Sequence, residues 1–423
     1  MRWFAALFLG CALLAGCSDD AARSGGAGNP PEGRSGAGSA TTQDPAEPLG
    51  WGPTAGELVQ AEELVADMSP EELAGQVIVG RYAGTDPAVP GSLVRELHLA
   101  GVCVTSDNVV DEGQVRATTR AVTRAHGADG RTHPAIIGVD QEGGVVSHLD
   151  GIATDFPAFA AAGTAIQTDP RAGRSVVRKA AAATALELRM LGFTWVFAPV
   201  ADVTIGAADP TIGTRSPSGD PRTAAAATRA AVTGYQEAGL VSTTKHYPGH
   251  GAATSDSHEV LPVIDTPLGQ LRSRDLLPFE SAIDAGAPAI MIGHLDVQAI
   301  APGTPSSLAP EVYDHLRDDL GFEGVAITDS MGMGAVLGNG GLPAVDALKA
   351  GADLLLMPAD TAGTHATVSK AIKDGRIDRA RVEEAAARVV ALQLWQQRRA
   401  EQVRVPADVV RRAQDAAAAL TAA

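Results

Sequence analysis

The sequence contains few aromatic residues and few cysteines, and each scarcity excludes a class of protein. Aromatic residues are only 4% of the 423 residues, too few for the stacking platforms on which proteins bind single-stranded nucleic acid. The cysteines are Cys11, Cys17 and Cys103. The first two fall in a predicted targeting segment, which leaves Cys103 without a partner for an internal disulfide. Because Cys103 stands in the apolar run 101–104, we expect it to be a buried strand residue and not a nucleophile.

Positive charge is also scarce. The sequence has 33 Lys and Arg residues against 50 Asp and Glu, a net charge of -17 at pH 7 and a calculated pI of about 5.0. A protein that binds DNA or RNA needs a basic face for the phosphates. We therefore expect no nucleic-acid partner.

The motifs of three enzyme classes are absent as well. There is no Gly-x-Ser-x-Gly motif for acyl transfer by a serine and no Gly-x-x-x-x-Gly-Lys-Ser/Thr loop for phosphates. His246, His250 and His258 are close in sequence, but they lack the His-x-His or His-Glu-x-x-His spacing of zinc sites. We expect neither a metal nor an organic cofactor. The alternative, a metal-dependent hydrolase, would lose its activity with a chelator.

The N-terminus resembles a bacterial lipoprotein signal. Arg2 precedes an apolar run at residues 3–15 that is too short to span a bilayer and is followed by Gly and Cys17. The resemblance implies a signal peptide at residues 1–16 and lipidation of Cys17; an ordinary secretory peptide is the alternative. In both cases the protein is exported, and a lipid would anchor it at the extracytoplasmic face of the cell membrane. Residues 17–52 are rich in Gly, Ser and Pro and predict a disordered tether.

Short apolar runs recur through the rest of the chain, each followed by turn residues and an amphipathic stretch. Continuous apolar runs that alternate with helices are typical of parallel strands buried on both faces. Eight of them favour a closed (β/α)8 barrel at residues 53–400, followed by a helical tail at 401–423. We expect a monomer without a second α/β domain. The runs are Gln76–Gly80, Gly101–Thr105, Ala135–Val139, Trp195–Val200, Val241–Thr244, Ala289–Ile292, Val325–Thr328 and Asp353–Met357.

Polar residues follow five of these runs. The C-terminal ends of all strands of a barrel meet on one face, where substrates bind. A single carboxylate after a strand is often only the N-cap of the next helix, but five polar strand ends on one rim indicate a site. In chain order these ends carry Asp140 with Gln141 and Glu142, then Asp202, Lys245 with His246, His294, and Asp329.

The third of these ends, which follows the fifth apolar run, is the richest in titratable groups. Residues 245–251 read Lys-His-Tyr-Pro-Gly-His-Gly, and Asp256 and His258 follow shortly after. The Pro-Gly pair and the second glycine predict a loop after the strand. Titratable groups on a glycine-rich loop at a strand end are typical of a catalytic site.

Residues 245–258 resemble the signature loop of family 3 glycoside hydrolases of the β-N-acetylglucosaminidase type. The resemblance continues in four further segments in the same order and covers the chain from about Leu64 to Leu394. Those segments are 138–144, 198–203, Arg215-Ser216 before Asp220-Pro221, and 327–331.

The resemblance implies a role for each matching position. Asp329 is the expected nucleophile, which forms a covalent glycosyl-enzyme, and the configuration is retained by double displacement. His258 is the expected general acid and then general base, with Asp256 orienting its ring. A histidine suits both steps because it titrates near neutral pH. The residues expected to hydrogen-bond the hydroxyls of the terminal sugar are Asp140, Arg215, Lys245 and His246.

Three positions depart from the family's pattern. The family commonly has an arginine directly after the glycines at 143–144 and another three positions later, where this chain has Val145 and His148. We expect His148 to replace one of those substrate contacts. An aromatic residue usually follows the Arg-Ser pair, where Pro217 stands here.

Together these observations predict an exported, lipid-anchored exo-glycosidase that removes terminal β-linked N-acetylglucosamine from peptidoglycan-type fragments. Phosphate in place of water as the acceptor is an open alternative. A β-glucosidase-like relative is a second alternative, which a comparison of an N-acetylglucosaminide with a glucoside would separate. A non-catalytic glycan-binding lipoprotein is a third, and the presence of Asp329, Asp256 and His258 argues against it.

Overall fold

The computed structural model of the protein describes residues 44–128, 130–338 and 341–423. The predicted signal peptide at residues 1–16, the predicted lipidation site Cys17 and most of the predicted tether lie outside these residues. Among the described helices, none is long and apolar enough to cross a membrane.

Eight parallel strands close into a barrel, which confirms the predicted (β/α)8 fold. Each strand pairs with its neighbours in chain order, and the last strand pairs with the first, with Leu355 opposite Ile78. Both faces of most strands are covered, which is why most of the strand sequences are continuously apolar, whereas β5 and the end of β7 carry polar residues. The barrel strands are β1 Ile78–Gly80, β2 Gly101–Val104, β3 Ile136–Val139, β4 Trp195–Val196, β5 Val241–Tyr247, β6 Ala289–Ile292, β7 Val325–Ser330 and β8 Leu354–Leu356.

Helices surround the barrel, and local sequence signals mark several of their ends. Ser69 and Glu72 form a capping box at the start of the second helix. Asp220 caps the seventh helix through its side chain. Gly192 ends the sixth helix in the left-handed conformation, with φ 95°, which favours glycine. The helices are α1 Ala55–Ala66, α2 Pro70–Gln76, α3 Ala88–Glu96, α4 Glu112–Ala128, α5 Ala160–Thr168, α6 Pro170–Leu191, α7 Pro221–Glu237, α8 Leu268–Ser273, α9 Leu277–Ile283, α10 Pro310–Asp314, α11 Gly334–Leu337, α12 Pro343–Ala350, α13 Thr361–Lys373, α14 Arg379–Gln402 and α15 Val409–Ala422.

Two strands that carry polar groups are longer than predicted, and one is shorter. β5 includes Lys245 and His246, which the sequence prediction placed after the strand. β7 likewise includes Asp329. β4 has only two residues because its continuation contains Pro199, which has no N–H to donate to a ladder. The polar side chains of β5 and β7 are therefore held by strand backbone and not by a loop.

Two short sheets that the sequence analysis did not predict organise the loops at the C-terminal face. Gln141–Gly143 pairs antiparallel with Val146–Ser147 directly after β3. Val263–Ile264 pairs in parallel with Asp296–Val297 and joins the loops that follow β5 and β6. The loops that surround the site are thus connected by backbone hydrogen bonds.

The folded part begins earlier than the predicted boundary. Residues 44–52 were assigned to the tether, but Pro48 bridges to Thr54 and Trp51 is only 5% exposed. A Cβ on Gly52 would lie 3.2 Å from the ring of Trp395. Residues 44–52 of the predicted tether therefore pack on the barrel. Burial of the large aromatic side chain of Trp51 stabilises this packing although the neighbouring residues are mostly small or polar.

The predicted helical tail at 401–423 contains helix α15. This helix packs against α5 and α6 and buries Ala413 and Leu420. The tail is therefore part of the outer helical layer of the barrel.

Candidate active site

Four charged side chains form a cluster where β3, β4 and β5 end. Lys245 Nζ lies 2.6 Å from Glu142 Oε1 and also donates to Asp140. Arg215 donates to both carboxylate oxygens of Glu142, each at 2.9 Å. The sequence predicts sugar-binding roles for Asp140, Arg215 and Lys245, and the structure brings all three together around Glu142.

Burial and charge act in opposite directions in this cluster. Burial raises the pKa of Glu142, but the positive charges of Lys245 and Arg215 outweigh it and lower the pKa to about 2. Burial lowers the pKa of Lys245, whereas the charges of Asp140 and Glu142 raise it above its ordinary value. Glu142 and Lys245 are therefore both ionised at neutral pH. Their positions are fixed by each other, which suits hydrogen bonding to uncharged sugar hydroxyls.

A buried carboxylate orients His246. Its Nδ1 lies 2.7 Å from Asp202 Oδ2, and Asp202 also accepts the backbone N–H of His250 at 2.7 Å. Burial raises the pKa of Asp202, but the neighbouring imidazoles and hydrogen-bond donors lower it below its ordinary value. Asp202 is therefore an ionised acceptor, and Nδ1 of His246 carries a hydrogen. The other ring nitrogen lies 3.5 Å from Arg215 Nη2, at the edge of the charged cluster.

Asp329 stands at the end of β7 with one carboxylate oxygen bound and one open. Its Oδ1 accepts the N–H of Ser330 at 2.7 Å, and Oδ2 has no hydrogen-bond partner among the described residues. Burial raises the pKa of Asp329, but the imidazoles of His246 and His294, the Ser330 N–H and Lys245 lower it to about 2. A carboxylate that is ionised at neutral pH and has one free oxygen is suited to nucleophilic attack.

Asp256 and His258 form the predicted pair. Nδ1 of His258 lies 2.7 Å from Asp256 Oδ1, and the same oxygen accepts the backbone N–H of His258 at 2.9 Å. Burial raises the pKa of Asp256, but the hydrogen bonds and charge of His258 lower it below its ordinary value. The His258 side chain is 63% exposed, so Nε2 is free to exchange a proton with a substrate or with water.

Backbone hydrogen bonds connect the His258 loop to the segment after β7. The carbonyl oxygen of His258 accepts the N–H of Gly334 at 3.0 Å. A Cβ at Gly334 would lie 2.5 Å from the carbonyl oxygen of Glu259, so this approach requires glycine. On its other side, Ser257 hydrogen-bonds His250 Nε2 at 2.9 Å. The acid/base pair is therefore attached to the strand that carries Asp329.

His148 lies beside the charged cluster, but its ring turns away from it. The His148 backbone N–H donates to the carbonyl oxygen of Asp140 at 3.3 Å. Its Nδ1 lies 2.7 Å from Ser106 Oγ, in the loop after β2. The structure therefore places the predicted substrate-binding His148 at the rim, with Ser106 as its hydrogen-bond partner.

The other two departures from the family's pattern have different settings. Val145 is 81% exposed and presents an aliphatic side chain to solvent at the rim. Pro217 lies against α5, where a Cβ at Gly163 would lie 1.7 Å from the Pro217 carbonyl oxygen. Pro217 is thus a packing residue of the loop after β4.

Several site residues were not assigned a role from the sequence. Glu142, Asp202 and His294 were noted only as polar residues after strands, and His250 only as part of the fifth strand end. Position at a C-terminal strand end was the available signal. Their pairing with Lys245, His246 or Ser257 depends on strand register and loop conformation, which a single sequence does not show.

The described residues contain no group of three or more His, Cys, Asp or Glu side chains arranged to hold a metal ion. His246 and His250 pack edge to face, with ring centroids 5.8 Å apart. The nitrogens of His246 face Asp202 and Arg215, and Nε2 of His250 faces Ser257, whereas Nδ1 of His250 is buried without a hydrogen-bond partner among the described residues. The chemistry that these residues support is hydrogen bonding, nucleophilic attack and proton transfer.

Comparisons with known proteins show similarity to glycoside hydrolases. The family described as "Glycosyl hydrolase family 3 N terminal domain" matches residues 73–392, which include every residue of the charged cluster and of the acid/base pair. A β-hexosaminidase from Stenotrophomonas maltophilia is 37% identical over 262 residues, 61% of this chain and 76% of that protein. A β-hexosaminidase from Xylella fastidiosa is 36% identical over 283 residues, 66% of this chain and 82% of that protein.

Solved structures show the same similarity. A family 3 β-N-acetylglucosaminidase from a Paenibacillus species has 29% identity and a TM-score of 0.75, over 84% of this chain and 68% of that one. A β-N-acetylhexosaminidase from Beutenbergia cavernae has 28% identity and a TM-score of 0.69, over 78% of this chain and 99% of that one.

Proposed function

Because the chain belongs to family 3 of the glycoside hydrolases, we propose that it removes terminal β-linked N-acetylglucosamine from glycans with retention of configuration. The observation that carries this proposal is the presence, on segments joined by a backbone hydrogen bond, of Asp329 with one free carboxylate oxygen and of an exposed His258 held by Asp256. The names of the relatives, β-hexosaminidase and β-N-acetylglucosaminidase, support the choice of sugar.

In the first step, Asp329 Oδ2 attacks the anomeric carbon and forms a glycosyl ester. The bond to the leaving oxygen breaks, and His258 gives its Nε2 proton to that oxygen. Asp256 holds Nδ1 of the same ring and stabilises the imidazolium before the proton leaves. The two side chains need not touch, because they act on opposite sides of the sugar ring.

In the second step, His258 takes a proton from water, and the water oxygen attacks the anomeric carbon. The ester bond to Asp329 breaks, and the carboxylate is regenerated. Two inversions at the same carbon give net retention.

The charged cluster would hold the terminal sugar. Asp140 and Glu142 supply acceptors, Lys245 and Arg215 supply donors at fixed positions, and His246 presents Nε2 as an acceptor beside Arg215. Donors and acceptors that are already held in place lose little entropy when a sugar replaces water. His148, whose ring hydrogen-bonds Ser106 at the rim, would contact the leaving group.

The N-terminal sequence extends the proposal to the site of action. A signal at residues 1–16 and lipidation of Cys17 would place an exported monomer on the extracytoplasmic face of the cell membrane. Peptidoglycan-type fragments are the N-acetylglucosamine glycans found at that surface. Globomycin-sensitive processing and incorporation of labelled palmitate, both lost in Cys17→Ala, would test the anchor.

Phosphate is a second candidate acceptor. A neutral histidine base does not repel an anionic acceptor as a carboxylate base would, and the exposed ring of His258 leaves room at its Nε2. Product analysis in phosphate buffer distinguishes the two reactions, because hydrolysis yields the free sugar and phosphorolysis yields the sugar 1-phosphate.

The test of the proposed function is release of p-nitrophenol from its β-N-acetylglucosaminide by the purified protein and by Asp329→Asn. We expect turnover by the parent, retention of the anomer in the first product seen by NMR, and a loss of about 10³-fold or more in the variant. The matched control is Asp374→Asn, which removes an exposed carboxylate on the surface and should leave turnover unchanged.

Other outcomes would redirect the proposal. Faster turnover of the β-glucoside than of the N-acetylglucosaminide would favour the β-glucosidase-like alternative. Binding of the glycan without turnover of any glycoside would favour the non-catalytic alternative. Full activity in Asp329→Asn would rule out Asp329 as the nucleophile.

A further inference from the structure

His294 is a buried histidine directly after β6 that has no part in the steps above. Its Nε2 lies 2.9 Å from the carbonyl oxygen of Ser330, and its Nδ1 lies 2.6 Å from Ser307 Oγ. A carbonyl oxygen only accepts hydrogen bonds, so Nε2 carries a hydrogen. Burial lowers the pKa of His294, so the ring is neutral at pH 7 and its Nδ1 accepts the Ser307 hydroxyl. The ring is therefore fixed in one tautomer.

The residue that His294 holds is the one that binds the predicted nucleophile. Ser330 donates its N–H to Asp329 Oδ1 at 2.7 Å. The peptide group between Ser330 and Met331 is held on both sides. His294 binds its carbonyl oxygen, which belongs to Ser330, and the carbonyl oxygen of Leu356 in β8 accepts its N–H, which belongs to Met331, at 2.8 Å. Fixing that peptide restricts the conformations open to Ser330, and thereby the directions that its own N–H can take toward Asp329.

We propose that His294 is a positioning residue for Asp329. Hydrogen bonds from Ser307 to His294 and from His294 to Ser330 hold the Asp329 carboxylate so that Oδ2 faces the anomeric carbon. His294 reaches Asp329 through the hydrogen bond to Ser330, and it makes no hydrogen bond to Asp329 itself. This inference rests on the proposed function, because it assigns a task to a nucleophile.

A purely structural histidine would behave differently. Filling space under the site would affect the free energy of unfolding, but the folded molecules of a variant would react at the parent's rate. A positioning residue affects the rate at which folded molecules form the glycosyl ester. A misplacement of about 1 Å costs on the order of 100-fold in rate, so the two roles are separable.

The test measures covalent labelling of Asp329 as well as turnover. A 5-fluoro-β-N-acetylglucosaminyl fluoride forms a glycosyl ester that hydrolyses slowly, so the rate of inactivation reports attack by Oδ2. In His294→Ala we expect kcat and the labelling rate to fall roughly 10- to 100-fold, with KM within about 3-fold of the parent. His294→Gln should recover part of both rates, since its amide N–H can still donate to Ser330.

A milder pair of variants keeps the proposal testable if His294→Ala does not fold. Ser307→Ala removes the hydroxyl that fixes the tautomer and should lower the labelling rate about 5-fold, the effect of one lost hydrogen bond. Ser306→Ala is the matched control. Ser306 is the buried neighbour of Ser307, but its hydroxyl donates to the carbonyl of Leu295, so labelling should proceed at the parent's rate.

Two results would overturn the inference in distinguishable ways. If the parent is labelled and His294→Ala and Ser307→Ala are labelled equally fast, His294 does not position Asp329, although the proposed function stands. If the parent itself is neither labelled nor active on the N-acetylglucosaminide, the proposed function fails and the positioning role fails with it.

Discussion

The carbonyl oxygen of His258 accepts a 3.0 Å hydrogen bond from the N–H of Gly334. Gly334 begins α11, four residues after the end of the strand segment that carries Asp329. This bond connects the predicted acid/base to the predicted nucleophile through backbone alone. The relative placement of the predicted proton donor and the predicted nucleophile therefore depends on a contact between two segments of the main chain.

Replacing Gly334 should disturb that connection. In Gly334→Ala the new Cβ would lie 2.5 Å from the carbonyl oxygen of Glu259 and 2.9 Å from that of His258, so the loop must move. We expect kcat to fall about 10- to 100-fold, with KM little changed, in steady-state assays on an N-acetylglucosaminide. Gly338→Ala is the control, because its Cβ would have 3.7 Å of room. Equal activity of the two variants would contradict a role for this contact.

Removing the proton donor should affect substrates according to their leaving groups. In His258→Ala we expect a loss of roughly 10²- to 10⁴-fold on alkyl glycosides, whose leaving oxygen needs a proton. The 2,4-dinitrophenolate anion departs without a proton, so the first step on a 2,4-dinitrophenyl glycoside should be almost unaffected. The measurement is kcat/KM over a series of leaving groups. Equal losses across the series would argue against His258 as the acid.

The buried Glu142 should stabilise the fold as well as the sugar site. Glu142→Gln leaves the charges of Lys245 and Arg215 without their shared partner, and removal of one member of a buried ion pair costs about 3–5 kcal/mol. We expect a loss of that size in the free energy of unfolding, measured by urea denaturation. The control Glu237→Gln breaks an exposed pair with Arg178 and should cost under about 1 kcal/mol.

Asp275 should make stability depend on pH. Burial raises the pKa of Asp275 to about 6, despite the opposing charge of Arg274. Because the folded protein binds this proton more tightly than the unfolded chain does, protonation of Asp275 stabilises the fold. That stabilisation is complete below about pH 4 and is lost as the pH rises through about 6. Asp275→Asn keeps a neutral side chain at every pH.

The free energy of unfolding of Asp275→Asn relative to the parent should therefore rise between pH 4 and pH 7. A shift of about two pKa units corresponds to roughly 3 kcal/mol. Urea denaturation at pH 4, 5.5 and 7 measures this difference. Exposed Asp318 supplies the control, because Asp318→Asn removes the same charge without burial. A constant difference between Asp275→Asn and the parent over this range would refute the prediction.

Much of the fold could be predicted from the sequence because continuous apolar runs have few explanations. Runs such as Ala289–Ile292 and Val325–Thr328 are buried on both faces, and their alternation with helices leaves the barrel as the simplest closed arrangement. The boundary at residue 52 was misplaced because composition is averaged over many residues. A single tryptophan, Trp51, is enough to attach that segment to the core.

The site was only partly predictable for a related reason. Asp256 and His258 are two residues apart, so their hydrogen bond could be expected from local geometry. Glu142 and Lys245 are far apart in the chain, and their contact depends on the register of β3 and β5 and on the turn after β3. The spacing of residues along the chain does not reveal that register. The sequence therefore identified Glu142, at the centre of the charged cluster, only as a polar residue after a strand.

The pairing of β8 with β1 has a consequence for how the enzyme becomes active as it folds. The carbonyl of Leu356 in β8 hydrogen-bonds Met331, two residues after the predicted nucleophile, and β8 itself pairs with Ile78 at the other end of the barrel sequence. Contacts between segments so distant in the chain are expected to form late. A half-built barrel could present most of the polar strand ends and still leave Asp329 without support. Catalytic competence is therefore a property of the completed ring.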